Sequence, residues 1–336
     1  MRIVASRRGL LRATGGLATI LATGKAPAFA QAKPIKMDIA SATAVPDSGA
    51  AALDWMAKTL NERGKGELDV TFHGATLLTK EIDIMNAVKS GNIAIGNAAG
   101  ATATVFPDMG VFLVGYLIQS YNQAYSVLNS KIGDDLNKQF QEKYGIRVLY
   151  YFDYGFRHFW NAKHQIEKPH DLRGLKMRVQ PAKVFADTVT DLGGVAVPMG
   201  WAEVITAAQQ GVIDGADLPV VNMVPDKAYD VTKYYSLTAH NYGASIVGIN
   251  AKLFDSLSPA LQKLLLDTGM DAQAYCRKIT ESSDTLENAK KELEPHGMQV
   301  VMPDRGPFID LAKQKLWPRY QGQYGGLWDK IVSAKV

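Results

Sequence analysis

The sequence predicts an α/β protein of about two domains, in which strands alternate with helices. Its 336 residues exceed the roughly 250–300 at which a single hydrophobic core stops growing. Segments with strand-like and helix-like periodicity alternate from residue 36 onward, and a second such series starts at residue 146. A βαβαβ order is typical of a doubly wound parallel sheet, which binds ligands at the carboxyl ends of its strands.

The first series contains three predicted strands separated by two predicted helices. Residues 36–40 and 68–72 alternate polar with apolar side chains, whereas residues 93–96 are small or apolar throughout. A helix over 48–62 carries its apolar side chains on one face, and a second helix is predicted over 79–89. This order predicts that the three strands belong to one parallel sheet.

The second series continues the same alternation of strands and helices. The predicted strands cover residues 146–152, 175–179, 195–198, 212–215, 234–238 and 244–250. The predicted helices are 181–192, which ends at a glycine pair, and 201–210, which ends at Gly211.

A long helix is predicted after the last strand. Ser258 is a candidate N-cap with Pro259 at the first helical position, and helical spacing continues to about Glu294. About 36 residues at 1.5 Å each give roughly 50 Å, which is enough to extend across both domains. Gly269 in its interior leaves room for a kink, and Gly297 ends it.

Residues 1–30 are predicted to be an export signal peptide. They contain five bases, no acid, a weakly apolar stretch over 13–23 and a small-x-small end at 28–30. The segment around Arg7 and Arg8 resembles the twin-arginine signal. We expect cleavage near Ala30 and a mature chain that begins near Gln31; the alternative is an amphipathic first helix.

Charge and motif content narrow the possible functions. Of the 37 bases, five lie in the leader, so 32 remain against 33 acids and no nucleic-acid surface is predicted. The single cysteine, Cys276, excludes an internal disulfide and a cysteine-rich metal site. The chain lacks the H-E-x-x-H, phosphate-loop, G-x-G-x-x-G and G-x-S-x-G motifs. We expect no metal and no cofactor, although catalytic groups from distant positions stay open.

Three segments together resemble a known family. They are residues 154–160 (YGFRHFW), residues 168–179 with the pattern P-x-D-L-x-G-L-K-x-R-V, and residues 198–215 with E-V-x-x-A-x-Q-x-G-V-x-D-G. In this order they resemble the substrate-binding proteins of tripartite ATP-independent periplasmic (TRAP) transporters, the DctP-like family. The similarity extends over essentially the whole chain after the leader.

The resemblance implies a two-lobed periplasmic binding protein with a hinge between the lobes and a long helix spanning both. We expect lobe I to comprise residues 31–153 and 244–280, and lobe II residues 154–243 and 281–336. The protein would capture a small organic acid and deliver it to a TRAP-type membrane permease, without chemistry on the ligand. The alternatives are a receptor of an ABC-type importer and an exported hydrolase or lyase that uses Asp214, His158 or Glu203.

Two arginines are the main candidates for binding the acid. In the family, the arginine of the L-K-x-R-V strand pairs with the ligand carboxylate, and this position is Arg178. The arginine of the G-x-R segment, here Arg157, is often a second polar contact. A guanidinium forms two parallel hydrogen bonds with a carboxylate. The alternatives are an internal ion pair of Arg178 with Asp214 or Asp217, and a lobe-edge salt bridge for Arg157.

Further candidates lie near the same strand ends. Trp201 takes the position of an aromatic residue that often lines the family's pocket; the alternative is a core residue at the start of a helix. Leu218 stands where some members carry an asparagine, and the loop containing Asn97 and Ala99 is small and mostly apolar. Tyr242 lies on a crossing segment near the expected hinge.

Two acidic residues near these strands are more often structural. Asp217 is a candidate ligand contact because it can accept a hydrogen bond from a ligand hydroxyl, whereas Glu203 fits the first turn of its helix.

These departures from the family pattern lead to an expectation about the ligand. A site without polar partners leaves the hydroxyls of a sugar acid unpaired when they are buried. Trp201 offers a broad apolar face that suits a planar or aromatic body. We therefore expect a monocarboxylate with an apolar or aromatic body, or a short 2-oxo or 2-hydroxy acid, to bind more tightly than sugar acids and C4-dicarboxylates.

Overall fold

One mixed sheet joins the two predicted series of strands. The computed structural model describes residues 33–100 and 102–334, so the predicted signal peptide and its cleavage site near Ala30 lie outside the described residues. The strands of these residues lie in the unit that begins at Pro34, in the order β2-β1-β3-β8-β4-β7-β5-β6, with β9 paired to β8. They are β1 (Ile35–Ser41), β2 (Leu68–Gly74), β3 (Ile95–Ala98), β4 (Ile146–Asn161), β5 (Lys176–Val179), β6 (Val195–Pro198), β7 (Gly215–Leu218), β8 (Tyr234–Asn250) and β9 (Gln299–Val301).

Helices cover both faces of this sheet. They are α1 (Ser48–Arg63), α2 (Glu81–Ser90), α3 (Thr102–Val105), α4 (Tyr121–Leu128), α5 (Lys131–Tyr144), α6 (Lys183–Asp191), α7 (Trp201–Gln209), α8 (Val220–Met223), α9 (Ala251–Ser256), α10 (Pro259–Ser283), α11 (Leu286–Leu293), α12 (Gly306–Lys315), α13 (Trp317–Tyr324) and α14 (Gly326–Ser333). Within residues 33–100 and 102–334, no helix combines the length and the apolar character that crossing a bilayer requires.

The parallel strands of both series are confirmed. β1 pairs in parallel with β2 and β3, and β5 pairs in parallel with β6 and β7. β3 and β7 begin later than predicted, because the residues before them bond back to the preceding helix. The amides of Asn92 and Ile93 donate to Ala87, and those of Val212 and Ile213 donate to Ala207.

Two long antiparallel strands connect the halves of the sheet. β8 is one strand of 17 residues and β4 one of 16, whereas shorter strands were predicted at both places. β3 flanks the pair at one end and β7 at the other. The β4–β8 register shifts three times, and Gly155 has a φ of +90°, so the apolar pattern is interrupted although the strands continue.

The predicted long helix is two helices. α10 ends at Ser283, and Thr285 caps α11 by accepting a hydrogen bond from the amide of Asn288. α10 packs on α1 and β4, where a Cβ added to Gly269 would lie 3.2 Å from the Tyr150 ring. Close packing therefore accounts for Gly269, and the helix break lies after Ser283 instead.

Three hydrophobic clusters hold the layers together. The first lies between α1, α10 and the β1–β3 face, around Met37, Leu53 and Leu265. The second lies under α7 and α11, around Trp160. The third and largest lies on the sheet faces opposite to the first two clusters, where α4–α6 and α12–α14 pack, around Phe112. The helices between residues 102 and 144 and those after 305 had not been predicted.

Candidate functional site

The carboxyl ends of four strands meet in the middle of the sheet. A Cβ added to Gly100, just after β3, would lie 2.2 Å from the Gln180 amide oxygen, just after β5. Asn222, which follows β7, donates a buried hydrogen bond of 3.2 Å to a carboxylate oxygen of Asp47, which follows β1. Parallel strands bring their ends to one edge in this way, so residues far apart in sequence become neighbours.

Arg178 is a buried arginine whose charge has no counter-ion in the described chain. Its side chain is 3 % exposed, and its Nε donates to the backbone carbonyl of Met199 at 2.9 Å. Among residues 33–100 and 102–334, no carboxylate lies within ion-pair distance of it. Asp214 accepts instead from the amide of Lys176, so the internal ion pairs considered for Arg178 are not formed. The remaining guanidinium donors can take an external anion.

The surroundings of Arg178 disfavour its charge in the absence of a ligand. Burial lowers the pKa of Arg178 to about 10, an effect that nearby Asp217 opposes. The ring of Trp201, at the start of α7, lies 5.4 Å from the guanidinium carbon. This distance is typical of a cation–π contact. Trp201 is only half-buried, and its face is occupied by Arg178.

Arg157 and Asp217 form a buried ion pair. Nε and Nη2 of Arg157 donate to the two carboxylate oxygens of Asp217 at 2.8 and 2.7 Å, and Nη2 also donates to the Asp217 carbonyl. Burial alone would raise the pKa of Asp217, but Arg157 holds it well below its usual range. The structure therefore gives Arg157 the salt bridge that was its alternative interpretation, and leaves Nη1 without a hydrogen bond inside the described chain.

His240 completes the polar contacts of Asp217. Its Nε2 lies 3.2 Å from Asp217, its Nδ1 lies 2.9 Å from the Thr238 hydroxyl, and its ring stacks on Phe159 at 3.7 Å. Burial lowers the pKa of His240 to about 4, although its hydrogen bond to Asp217 opposes the shift. A neutral His240 therefore orients Asp217, which in turn orients Arg157.

The other predicted residues fall into two groups. Asn97 is buried at the end of β3, and its Oδ1 has no hydrogen-bond partner among the described residues; Ala99 lies just after it. Leu218, by contrast, points into the cluster around Trp160, which means that it packs the core. Tyr242 packs edge-on against Tyr121 within the largest cluster. Alternation explains Leu218, because its neighbour Asp217 faces Arg157 and successive side chains point to opposite faces.

Three polar residues that follow β1 and β7 were missed by sequence reasoning: Asp47, Asn222 and Asp226. Asp47 caps α1 by accepting from the amide of Ala50, and Asn222 keeps its Oδ1 buried without a partner in the described chain. Their position after β1 and β7 was the available signal, since ligands bind where parallel strands end.

Negative charge is concentrated around Tyr154 and Asp226. Burial and the adjacent Asp47 raise the pKa of Asp226 to about 6. Burial, Asp47 and Asp226 raise the pKa of Tyr154 well above its ordinary value, whereas Arg157 lowers it. The site therefore has a cationic side at Arg178 and an acceptor-rich side at Asp47, Asn222 and Asp226.

The titratable residues considered for a metal site or for a hydrolase have the following contacts among the described residues. Among the described residues, no three His, Cys, Asp or Glu side chains are placed to hold a metal ion. The residues considered for a hydrolase make separate contacts: Asp214 binds the Lys176 amide and His158 lies near Asp284. Glu203 is exposed in the first turn of α7.

The chain is similar to bacterial solute-binding proteins in both sequence and structure. A family model described as bacterial extracellular solute-binding protein, family 7 (DctP), matches residues 40–323. The chain is 31 % identical over 254 residues to the 2,3-diketo-L-gulonate-binding periplasmic protein YiaO of Escherichia coli K12, which covers 75 % of this chain and 76 % of YiaO. It is 29 % identical over 304 residues to the C4-dicarboxylate-binding periplasmic protein DctP of Rhodobacter capsulatus, covering 89 % and 86 %.

A solved structure has the same fold over nearly its whole length. It is a TRAP periplasmic solute-binding protein from Bordetella bronchiseptica, with density interpreted as pantoate. The TM-score is 0.82 at 28 % identity, and the match covers 90 % of this chain and 99 % of that one.

Proposed function

Because the chain belongs to the DctP family of bacterial extracellular solute-binding proteins, we propose that it captures a small organic acid through Arg178 and delivers it to a TRAP permease. Proteins of this family are periplasmic solute-binding transport proteins for acids, and they work with a TRAP membrane permease. The family match favours this system over an ABC-type importer and over a hydrolase or lyase.

One observation carries the proposal: Arg178 is buried and charged, yet has no anionic partner in the described chain. A buried charge is costly unless it is paired. A ligand carboxylate would supply the missing partner, and the guanidinium fork suits two parallel hydrogen bonds to it. The hydrogen bond from Nε to Met199 fixes the orientation of the fork before the ligand arrives.

Buried acceptors that follow or end the strands support a ligand with hydroxyl groups. Asn97 and Asn222 each hold a buried amide oxygen without a partner in the described chain, and Asp47 lies beside Asn222. A ligand hydroxyl donates to such an oxygen and removes the cost of leaving it unpaired, about 1–3 kcal/mol each. We therefore propose that the ligand is a short monocarboxylate that carries hydroxyl groups, either a 2-hydroxy acid or a hydroxylated 2-oxo acid.

An apolar or aromatic ligand has less support. The expectation rested on Trp201 and Leu218, but the Trp201 face is taken by Arg178 and Leu218 packs the core. Two of the compared proteins are named with 2,3-diketo-L-gulonate or pantoate, which are hydroxylated monocarboxylates. The C4-dicarboxylate of the Rhodobacter relative is the competing class, because Arg157 Nη1 offers a second cationic donor.

Calorimetry on the purified mature protein tests both parts of this proposal. The ligand panel is D-erythronate, pantoate, D-glucuronate, phenylacetate and succinate. Removing one partner of a buried charged contact costs about 2–5 kcal/mol, so Arg178→Ala should weaken the best ligand about thirty-fold or more. The matched control is Arg173→Ala, which removes an exposed arginine just before β5 and should leave the affinity unchanged.

The outcomes separate the site from the ligand class. Unchanged affinity in Arg178→Ala overturns the assignment of Arg178. If D-glucuronate, phenylacetate or succinate binds most tightly, the class of short hydroxylated monocarboxylates is wrong while the role of Arg178 stands.

Export and lobe movement complete the proposal. We propose that residues 1–30 direct export by the twin-arginine route with cleavage near Ala30. Mass spectrometry of the periplasmic protein should then give an N-terminus near Gln31, and Arg7→Lys with Arg8→Lys should abolish export.

We propose that residues 31–153 with 244–280 form lobe I and residues 154–243 with 281–336 form lobe II, which close around Arg178.

A further inference from the structure

A second cavity opens on the face of β4 opposite Arg157. His158 follows Arg157 directly, and successive side chains of a strand point to opposite faces. Arg157 accordingly contacts Asp217, whereas His158 lines a cavity of about 240 Å³ together with Tyr121 and Asp284. The exposed side chain of Met302 lies at its rim, so a small molecule can enter from solvent.

His158 presents an unused donor to this cavity. Its Nδ1 accepts a hydrogen bond of 3.0 Å from the amide of Ala239, so the ring proton of the neutral form lies on Nε2. The side chain is buried, and Nε2 has no hydrogen-bond partner among residues 33–100 and 102–334. The nearest carboxylate oxygen, Oδ1 of Asp284, is 3.4 Å away. An unpaired buried donor of this kind is uncommon in folded proteins.

Asp284 presents an unused acceptor beside that donor. Its Oδ2 accepts from the Tyr121 hydroxyl and, at 3.0 Å, from the amide of Phe156. Its Oδ1 accepts no hydrogen bond from any described residue. Both contacts of Oδ2 fix the carboxylate in place, so Oδ1 is held facing the cavity next to His158.

Arg305 supplies the opposite charge. It immediately precedes α12, is half-buried, and donates from Nη1 to the carbonyl of Gln119 at 3.3 Å. No carboxylate of the described chain lies within ion-pair distance of its guanidinium. The cavity is therefore lined by one unpaired cation and by one carboxylate whose Oδ1 accepts no hydrogen bond and lies 3.4 Å from His158 Nε2. With His158 neutral, its formal charge is zero.

The remaining walls are apolar. Phe156, Leu237, Ala239 and Met302 line the cavity between the polar groups. A neutral cavity with separated charges favours a zwitterion over a simple anion, because each ionic end of the ligand then meets its opposite charge. An acceptor and a donor 3.4 Å apart match the adjacent ammonium and carboxylate groups of an α-amino acid.

We propose that this cavity binds an α-amino acid with a small aliphatic side chain. Its ammonium group donates to Asp284 Oδ1, and its carboxylate accepts from His158 Nε2 and Arg305. The aliphatic side chain packs against Phe156 and Leu237. This site is separate from the acid site at Arg178 and does not depend on the function proposed for that site.

Binding of L-valine to the Arg178→Ala variant tests the proposal. Removing Arg178 prevents a contribution from the acid site. Isothermal calorimetry compares L-valine with isovalerate, which lacks the amine, and with isobutylamine, which lacks the carboxylate. L-alanine and L-leucine extend the series. We expect saturable L-valine binding, with isovalerate and isobutylamine each at least about tenfold weaker because each loses one charged contact.

A second substitution assigns the binding to this cavity. Arg178→Ala with Arg305→Gln should bind L-valine at least about tenfold less tightly. Arg178→Ala with Lys315→Gln, an exposed lysine at the other end of α12, should bind it normally. Thermal unfolding checks that each variant is folded. The proposal is overturned if none of the three amino acids saturates Arg178→Ala at roughly 10 mM, if Arg305→Gln binds L-valine normally, or if isovalerate binds as tightly as L-valine.

Discussion

Arg157 and Asp217 lie 60 positions apart in sequence and form a bidentate ion pair in the interior of the protein. Both side chains are 3 % exposed. Their sequence positions, one on β4 and one on the adjacent strand β7, place them side by side in the sheet. Because His240 contacts the same carboxylate, the pair holds Arg157 in one orientation, in which Nη1 makes no hydrogen bond with the described residues.

Loss of the Asp217 charge should strongly destabilise the fold. Asp217→Asn leaves the buried Arg157 without its counter-ion, and breaking a buried pair in this way costs about 3–5 kcal/mol. Urea unfolding followed by circular dichroism measures the free energy of unfolding. Asp267→Asn, which breaks the exposed pair with Lys263, is the control and should cost less than about 1 kcal/mol.

The double variant Arg157→Met with Asp217→Leu tests the reason for this effect. Replacing both members of a buried pair with apolar residues is often close to neutral, so most of the lost stability should return. If Asp217→Asn costs no more than Asp267→Asn, the pair does not have the importance that its burial indicates.

The fold was predictable where local periodicity was strong. The helices over 48–63 and 201–209 and the strands over 35–41 and 195–198 match their predicted ranges within one residue, because amphipathic spacing is a local property. β4 was predicted too short and β8 was predicted as two strands, since their bulges interrupt the apolar pattern. The break after Ser283 depends on capping by Thr285 and on distant Tyr121, which no periodicity reveals.

The site was predictable in part. The L-K-x-R-V motif led to Arg178, and the structure places it in the interior with no counter-ion among the described residues, while its ligand role stays a prediction. Asp47 and Asn222 were missed because their hydrogen bond joins residues separated by 175 positions and depends on the sheet order. Leu218 was placed in the site by its position in a motif, but strand alternation turns it into the core.

The contribution of Asp153 to stability should fall as the pH rises. This carboxyl is buried on β4, 3.3 Å from Arg277 Nε, and burial raises its pKa to about 7 despite Arg277. Between the unfolded pKa of about 4 and pH 7, the folded state binds the proton that the unfolded state has lost. Raising the pH through this window therefore reduces the free energy of unfolding, on the order of a few kcal/mol.

Asp153→Asn isolates that contribution. The variant cannot titrate, so its free energy of unfolding in urea should depend less steeply on pH between 4 and 8 than that of the unmodified protein. The exposed Asp329→Asn is the control and should keep the original slope. An unchanged slope in Asp153→Asn would show that this carboxyl is ionised in the folded protein throughout the range.

Trp201 should tune affinity through Arg178. Its ring lies over the guanidinium, and such contacts contribute about 0.5–2 kcal/mol, depending on desolvation. Trp201→Leu should weaken binding of the best acid about two- to tenfold, and Trp201→Phe should recover part of this loss because it restores an aromatic face. Calorimetry gives both values. Equal affinities for Leu and Phe variants would show that the ring acts only by filling space.

Asn222 should stabilise the closed arrangement of the lobes. Its hydrogen bond to Asp47 joins residues that we assign to lobe II and lobe I, so it exists only when the two lobes are together. Asn222→Ala leaves a buried carboxylate oxygen without this donor, at a cost of about 1–3 kcal/mol to the closed state alone. A penalty on the closed state shifts the equilibrium towards the open state. Ligand binding must then supply the additional free energy needed for closure.

Small-angle scattering and calorimetry together measure this shift. Without ligand, Asn222→Ala should have a larger radius of gyration than the unmodified protein, and saturating acid should bring both to the same value. Its affinity for the acid should fall about five- to hundredfold, in line with the lost hydrogen bond. Asn61→Ala is the matched control, since Asn61 exchanges two hydrogen bonds with Val70 inside lobe I. It should lower the free energy of unfolding while leaving the radius and the acid affinity unchanged. If Asn222→Ala and Asn61→Ala behave alike in both measurements, the contact between Asp47 and Asn222 supports the fold and has no part in closure.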